Sequence, residues 1–171
     1  MCLIKKKITW KEIVLTCCIL LASYDVKSTE PLFEPYGAKF GQKFDINQHK
    51  TMARRGNVRT VKLRTTNRPD DTEELLAEIC DDHGLQVITW RSHIRSPSSA
   101  LASHNIILKR LKTRFGSPKI KHKSAFWTSN ELSIVVKIRD DNISHQNQIR
   151  YFGPKNEPCF KKFMTYLQKT K

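Results

Sequence analysis

The chain has 171 residues, with 31 Lys and Arg against 16 Asp and Glu, and a net charge of +15. That length allows one domain with one hydrophobic core. The charge favours contact with anions, such as nucleic acid, anionic lipid, acidic glycans or an acidic protein, unless it only forms a solvated surface. Phosphate-loop and dinucleotide signatures and a Gly-x-Ser-x-Gly elbow are absent from the sequence, which argues against the enzyme classes that they mark.

Residues 1–28 have the organisation of a secretory signal peptide. Lys5, Lys6 and Lys7 form a positive start, and the apolar run from Ile13 to Ala22 follows. This run is about half as long as the roughly 20 residues that a membrane span needs. The small Ser28 predicts cleavage after it, so no span remains in the mature form. An uncleaved anchor and a buried N-terminal helix are the alternatives.

Cysteine positions support export. The three cysteines Cys2, Cys17 and Cys18 lie in the predicted signal, and Cys80 and Cys159 remain in the mature chain. Because exported proteins meet an oxidising environment, we predict a Cys80–Cys159 disulfide, with two separate buried thiols as the alternative. No Cys-x-x-Cys or paired-His spacing is present, so no metal or other cofactor is expected.

The mature chain divides into an irregular segment, 29–57, and a single domain, 58–171. Pro and Gly punctuate the irregular segment. Four aromatic residues in it are expected to dock onto the core of the domain. They are Phe33, Tyr36, Phe40 and Phe44.

The first half of the domain is predicted to form a strand, a helix, a strand and a helix, in that order. Alternation predicts a strand over Val58–Arg64. Asp71-Thr72-Glu73-Glu74 resembles a capping box and Gly84 can end a helix, which predicts a helix over Asp71–His83. A strand over Leu85–Trp90 is next. Apolar residues at helical spacing then predict a second helix over Ala100–Phe115, ended by Gly116.

The second half reads as three strands and a helix. Strands are predicted over Ser124–Thr128, Leu132–Ile138 and Gln148–Phe152, and Pro158 suits the first turn of a last helix. The order β-α-β-α-β-β-β-α predicts an α+β fold, in which two or three helices pack on one face of a mainly antiparallel sheet of about five strands. The disulfide would then join the last helix to the predicted helix over Asp71–His83.

Basic residues in two places are candidates for contact with an anion. Lys109 and Arg110 lie in the C-terminal half of the second predicted helix, and Lys119, Lys121 and Lys123 follow it. Aromatic residues beside them would suit nucleic acid, but they are better explained as strand core, so nucleic acid is not the expected partner. Asp81-Asp82-His83 places carboxylates beside an imidazole. Such polar residues at the end of a helix are usually solvated, so we assign no catalytic residues.

Several short motifs resemble small exported bacterial α+β domains, most of them of unassigned function. They are Tyr36–Gly41, Leu108 and Leu111 with Arg114–Pro118, Trp127, Leu132–Ile138 and Ile149–Tyr151. The resemblance implies a periplasmic or envelope-associated binding or accessory protein without catalytic residues. The basic balance is also similar to that of envelope proteins of intracellular bacteria, which implies support of the envelope, of a secretion system or of intracellular replication.

The sequence therefore predicts a non-enzymatic protein of the periplasm or envelope that binds another envelope component. Two alternatives stay open. One is a secreted basic protein or effector that binds anionic host surfaces, and the other is a small hydrolase.

Overall fold

The structure is a computed structural model that describes residues 33–43, 49, 51–140 and 145–161. The predicted signal peptide and Phe44 lie outside the described residues. The described residues belong to one compact unit. Within the described ranges, no helix combines the length and the apolar character needed to cross a membrane.

The unit is built on an eight-stranded antiparallel sheet in the order β1-β2-β3-β4-β8-β7-β6-β5. Its strands are β1 Thr51–Arg55, β2 Val58–Lys62, β3 Thr72–Cys80, β4 Gly84–Ser92, β5 Lys119–Lys121, β6 Ser124–Thr128, β7 Ser133–Asp140 and β8 His145–Phe152. Each half of the sheet is a run of four sequential strands, and β4 and β8 meet at the centre. Strand β1 lies within the segment 29–57.

One long helix, α1 Pro97–Phe115, connects the two halves and packs on one face of the sheet. The Ser96 side chain accepts a hydrogen bond from the Ser99 backbone N–H, and Gly116 ends the helix at φ 77°. Leu111 of α1 joins the main core, which the inward residues of six strands supply. This element matches the second helix that the sequence predicts.

The predicted helix over Asp71–His83 is wrong, and with it the predicted α+β fold. Residues Thr72–Cys80 form strand β3, which is paired along most of its length with β2 and β4. The sheet has eight strands instead of about five, and the order β-α-β-α-β-β-β-α does not hold. Leu75, Ala77 and Ile79 alternate into the core, so burial in the sheet outweighs the helical propensity of this segment.

The disulfide between Cys80 and Cys159 is confirmed, with Cα atoms 6.0 Å apart. It joins the helix that begins at residue 156 to strand β3, whereas the sequence predicted a helix at Cys80. Gln86 sits at a bulge in β4 and holds the chain leading to this helix. Its side chain accepts a hydrogen bond from the Lys155 backbone N–H at 3.0 Å and donates one to the His83 carbonyl at 2.7 Å.

The predicted docking of N-terminal aromatic residues is confirmed for Phe33, Tyr36 and Phe40, which pack against the main core. The Phe33 ring meets the Phe115 ring edge-on, with centroids 5.2 Å apart. The guanidinium of Arg114 lies 4.4 Å from the Phe33 ring centroid. Segment 33–43 therefore belongs to the folded unit.

Candidate functional site

The sheet has a second face, directed away from α1, which we call the distal face. Its residues alternate with the core residues along each strand. Across the central strands, Leu76 pairs with Thr89, Thr89 with Arg150, and Arg150 with Val135. In the next row, Glu74 pairs with Arg91 and Arg91 with Gln148. The distal face therefore mixes polar and charged side chains with apolar ones such as Leu76 and Val135, whereas the opposite face is apolar.

Two ion pairs cross the centre of the distal face. Arg150 donates to Glu78 at 3.2 Å, and Arg91 donates to Glu74. All four side chains are about a third exposed or less. Burial raises the pKa of the Glu78 carboxyl, while Arg150 and, more distantly, Arg55 act in the opposite direction. The site therefore contains charges that are partly removed from water.

A pocket of about 330 Å³ opens between these strands and the helix that begins at residue 156. Its wall is shared by charged, neutral polar and apolar side chains. They are Arg55, Val58, Thr60, Leu76, Glu78, Thr89, Arg91, Gln148, Arg150 and Phe160. Three guanidinium groups and one carboxylate give the pocket an excess of positive charge.

Two neutral polar residues in the pocket wall are almost fully buried. Gln148 is 6% exposed and Thr89 is 4% exposed. Neither side chain has a hydrogen-bond partner among the described residues, although Gln86, which is equally buried, has two. The side-chain nitrogen and oxygen atoms of both residues are not among the buried polar atoms that lack a partner in the described part of the chain, so they reach the open space of the pocket and are available to a ligand.

The structure divides the anion-contact residues that the sequence singled out. All five side chains are exposed. Lys119 and Lys121 pair with Phe126 and Ser124, which alternate with the core residues Ala125 and Trp127, so both lysines lie on the distal face.

The other three lie elsewhere. Lys109 and Arg110 are on α1, on the opposite side of the sheet, and Lys123 is in the turn between β5 and β6 at φ 59°. The five residues therefore do not form one surface.

Lys137 completes the group on the distal face, and the sequence did not single it out. It pairs with Ser124, which pairs in turn with Lys121. Strand spacing puts the Lys121 and Lys137 backbones about 10 Å apart. We call Lys119, Lys121 and Lys137 the basic strip. Within the described ranges, none of the three has an ion-pair partner.

The sequence does not predict the pocket either, because the residues that line it come from strands far apart in the chain. Arg91 lies just beyond the strand predicted over Leu85–Trp90, and Arg150 comes from a strand that pairs with β4 only in the folded sheet. One signal was present: Gln148 and Arg150 alternate with Ile149 and Tyr151, which marks a strand whose second face is polar.

Other candidate chemistry is used for structure. Asp81 accepts ion pairs from Arg54 at 3.2 Å and Arg59 at 3.1 Å. His104 is a buried residue of α1, with Nδ1 3.1 Å from Asn147 Oδ1 of β8. In the part of the chain that the structure describes, no cluster of three or more His, Cys, Asp or Glu side chains could hold a metal ion.

Comparisons with protein-family models, with curated proteins and with solved structures found no match to this chain. The resemblance to small exported bacterial domains therefore stays a prediction.

Proposed function

We propose that this chain is an exported, non-enzymatic accessory protein that binds an acidic protein of the cell envelope through the basic strip. The observation that carries the proposal is the strip itself. Three exposed lysines share the distal face at one end of the sheet, and no acidic side chain of the described residues pairs with them. Such a surface attracts an acidic partner and speeds the encounter with it.

The proposed location of the protein follows from the signal-like N-terminus and is supported by the disulfide. A bond between Cys80 and Cys159 persists in an oxidising compartment and is rare in the cytosol. Fractionation of cells that express the full chain with a C-terminal tag tests this part. Recovery of the uncleaved chain in the cytosol would contradict it.

Lysines on an edge strand have a second effect, because β5 ends the sheet and charge there disfavours edge-to-edge pairing. The two roles differ in what they require. Protection of the edge needs charge on β5 alone, whereas a docking surface also needs Lys137, which is on an inner strand. A test of the strip must therefore include Lys137.

The binding test compares two variants with equal loss of charge. One replaces the strip (Lys119→Gln, Lys121→Gln and Lys137→Gln). The matched control replaces exposed cations of α1 (Lys109→Gln, Arg110→Gln and Lys112→Gln). Binding of labelled poly-glutamate is measured by fluorescence anisotropy at increasing salt, with protein purified from the exported fraction.

We expect the strip variant to lose about tenfold in affinity and the α1 variant to stay within about twofold of the wild type, with weaker binding in high salt. Equal losses in both variants would show that net charge, not this surface, causes the binding. Tighter binding to heparin or to phosphatidylglycerol vesicles than to poly-glutamate would favour the second function, a secreted protein acting on anionic surfaces, and overturn the first.

A further inference from the structure

We propose that the pocket beside Phe160 binds a small organic anion, with a carboxylate or phosphate group held by Arg55, Arg150 and Gln148 and an apolar body held against Leu76 and Phe160. This goes beyond the proposed function, because none of the three lysines of the basic strip lines the pocket, and the two regions only adjoin where Lys137 pairs with Gln148. Its volume of about 330 Å³ is at the lower end of ligand pockets. A small molecule fits it, and a folded partner does not.

The first argument for a ligand is that two polar side chains of the pocket wall make no hydrogen bond within the described residues. Gln148 lines the pocket and is only 6% exposed. Its side-chain amide makes no hydrogen bond within the described residues. The same holds for the Thr89 hydroxyl. The polar atoms of both side chains are not buried themselves, so they face the open pocket, where a ligand can replace water as their partner. A ligand oxygen beside these two groups would satisfy the Gln148 amide N–H and the Thr89 O–H.

The guanidinium groups are the second argument. Arg150 is oriented by its contact with Glu78 and lies 4.9 Å from the Phe152 ring centroid, so it is already positioned before a ligand arrives. A guanidinium has five N–H donors, and the contact with Glu78 uses only part of this capacity. Arg91, oriented by Glu74, is in the same situation, and its Nε is buried without a partner in the described part of the chain.

Charge and surface chemistry decide the class of ligand. Three arginines against Glu78 and Glu74 leave a net positive pocket, which favours an anion over a neutral or cationic ligand. Planar guanidinium groups suit carboxylate and phosphate oxygens in particular. Apolar side chains on the remaining wall would bury a hydrocarbon or aromatic body.

The test uses benzoate and phenyl phosphate as probes, and benzamide and inorganic phosphate as controls. Each is titrated into the isotopically labelled protein and followed by amide chemical shifts. We expect shifts centred on Thr89, Gln148 and Phe160 with at least one of the two organic anions. The tighter of the two identifies the head group. Benzamide, which lacks the charge, should bind about tenfold more weakly.

Two variants and a control assign the binding to the pocket. Gln148→Leu keeps about the same volume and removes the amide, and Arg55→Gln removes a charge at an exposed position. Each should weaken binding about fivefold, and Lys109→Gln on α1 should leave it unchanged. If Gln148→Leu does not fold, Arg55→Gln alone decides.

Three results would overturn the proposal. Benzamide could bind as tightly as benzoate, the shifts could map outside the pocket, or Arg55→Gln could leave the affinity unchanged. Inorganic phosphate that binds as tightly as phenyl phosphate would overturn the apolar part of the assignment. The basic strip is intact in both variants, so this test can fail while poly-glutamate binding persists.

Discussion

Cys159 follows Cys80 by 79 residues, yet the two are joined by a disulfide with their Cα atoms 6.0 Å apart. Val58 and Phe160 pack around the bond, so it holds the helix that begins at residue 156 against the distal face. Cross-linking residues so far apart in the sequence restricts the unfolded chain strongly. The combined variant Cys80→Ala and Cys159→Ala should lose about 2–4 kcal/mol of the free energy of unfolding in urea.

Reductant is the control for that measurement. It should destabilise the wild type and leave the double variant unchanged. Thiol titration of exported protein gives an independent check, because the chain beyond residue 28 contains only these two cysteines. Two titratable thiols in the unreduced, denatured protein would contradict the bond and weaken the proposed export.

Gln86 provides a second link between the sheet and the C-terminal helix. Its side chain makes two hydrogen bonds in a site that is only 1% exposed, one of them to the Lys155 backbone. Gln86→Leu should therefore cost about 2 kcal/mol in the free energy of unfolding. Gln146→Leu is the matched control, since Gln146 also makes two hydrogen bonds but is less buried. A larger loss for Gln146→Leu would contradict this ranking.

Local signals in the sequence predicted α1 but failed for β3. The α1 signals are complete within the segment, because apolar spacing, Gly116 and Pro118 define a helix without reference to the rest of the chain. For Thr72–Cys80, Glu, Leu and Ala favour a helix, and Leu75, Leu76, Ile79 and Cys80 suit either period. The segment forms a strand because it pairs with β2 and β4, and no local pattern in the sequence indicates that pairing.

The same limit applies to the pocket. Glu74, interpreted from the sequence as part of a capping box, is instead the partner of Arg91, and Glu78 is the partner of Arg150. Arg150 follows Glu78 by 72 residues, so only the sheet order brings them together. The disulfide could be predicted because removal of the predicted signal peptide leaves only two cysteines to pair. Nothing comparable in the sequence indicates which polar and apolar residues line the pocket.

His104 predicts how stability depends on pH. Burial lowers the pKa of its imidazole below the ordinary value of 6.5, and the hydrogen bond to Asn147 opposes that change. The unfolded chain therefore takes up a proton at a higher pH than the folded chain, so the contribution of His104 to stability is complete above pH 6.5 and is lost as the pH falls below it.

The variant His104→Gln tests this effect, since glutamine cannot titrate and can still donate to the Asn147 side chain. Urea unfolding between pH 5 and pH 8 should give a flatter profile for the variant, by up to about one proton in slope below pH 6.5. His93→Gln, at an exposed position, should follow the wild-type profile. Parallel profiles for His104→Gln and the wild type would contradict the assignment.

Gly84 and Gly116 both have a positive φ but differ in their surroundings. Their φ angles are 65° and 77°. A Cβ at Gly84 would lie 2.5 Å from the Gly41 carbonyl oxygen and 2.6 Å from that of Gln42, whereas nothing lies within 4 Å at Gly116. Leu85 donates its backbone N–H to the Gln42 carbonyl at 3.0 Å, so the N-terminal segment is held close to this turn.

Alanine at the two positions separates backbone strain from this close approach. Gly116→Ala should cost about 1–3 kcal/mol in the free energy of unfolding, because its backbone (φ 77°, ψ −167°) lies in a region that is essentially restricted to glycine. Gly84→Ala also introduces a side chain at a positive φ and must in addition displace the chain at Gly41, so its cost should be larger, and hydrogen exchange at the Gly41 and Leu85 amides should accelerate. Equal costs, with unchanged exchange at Gly41, would show that segment 33–43 does not depend on the contact with this turn.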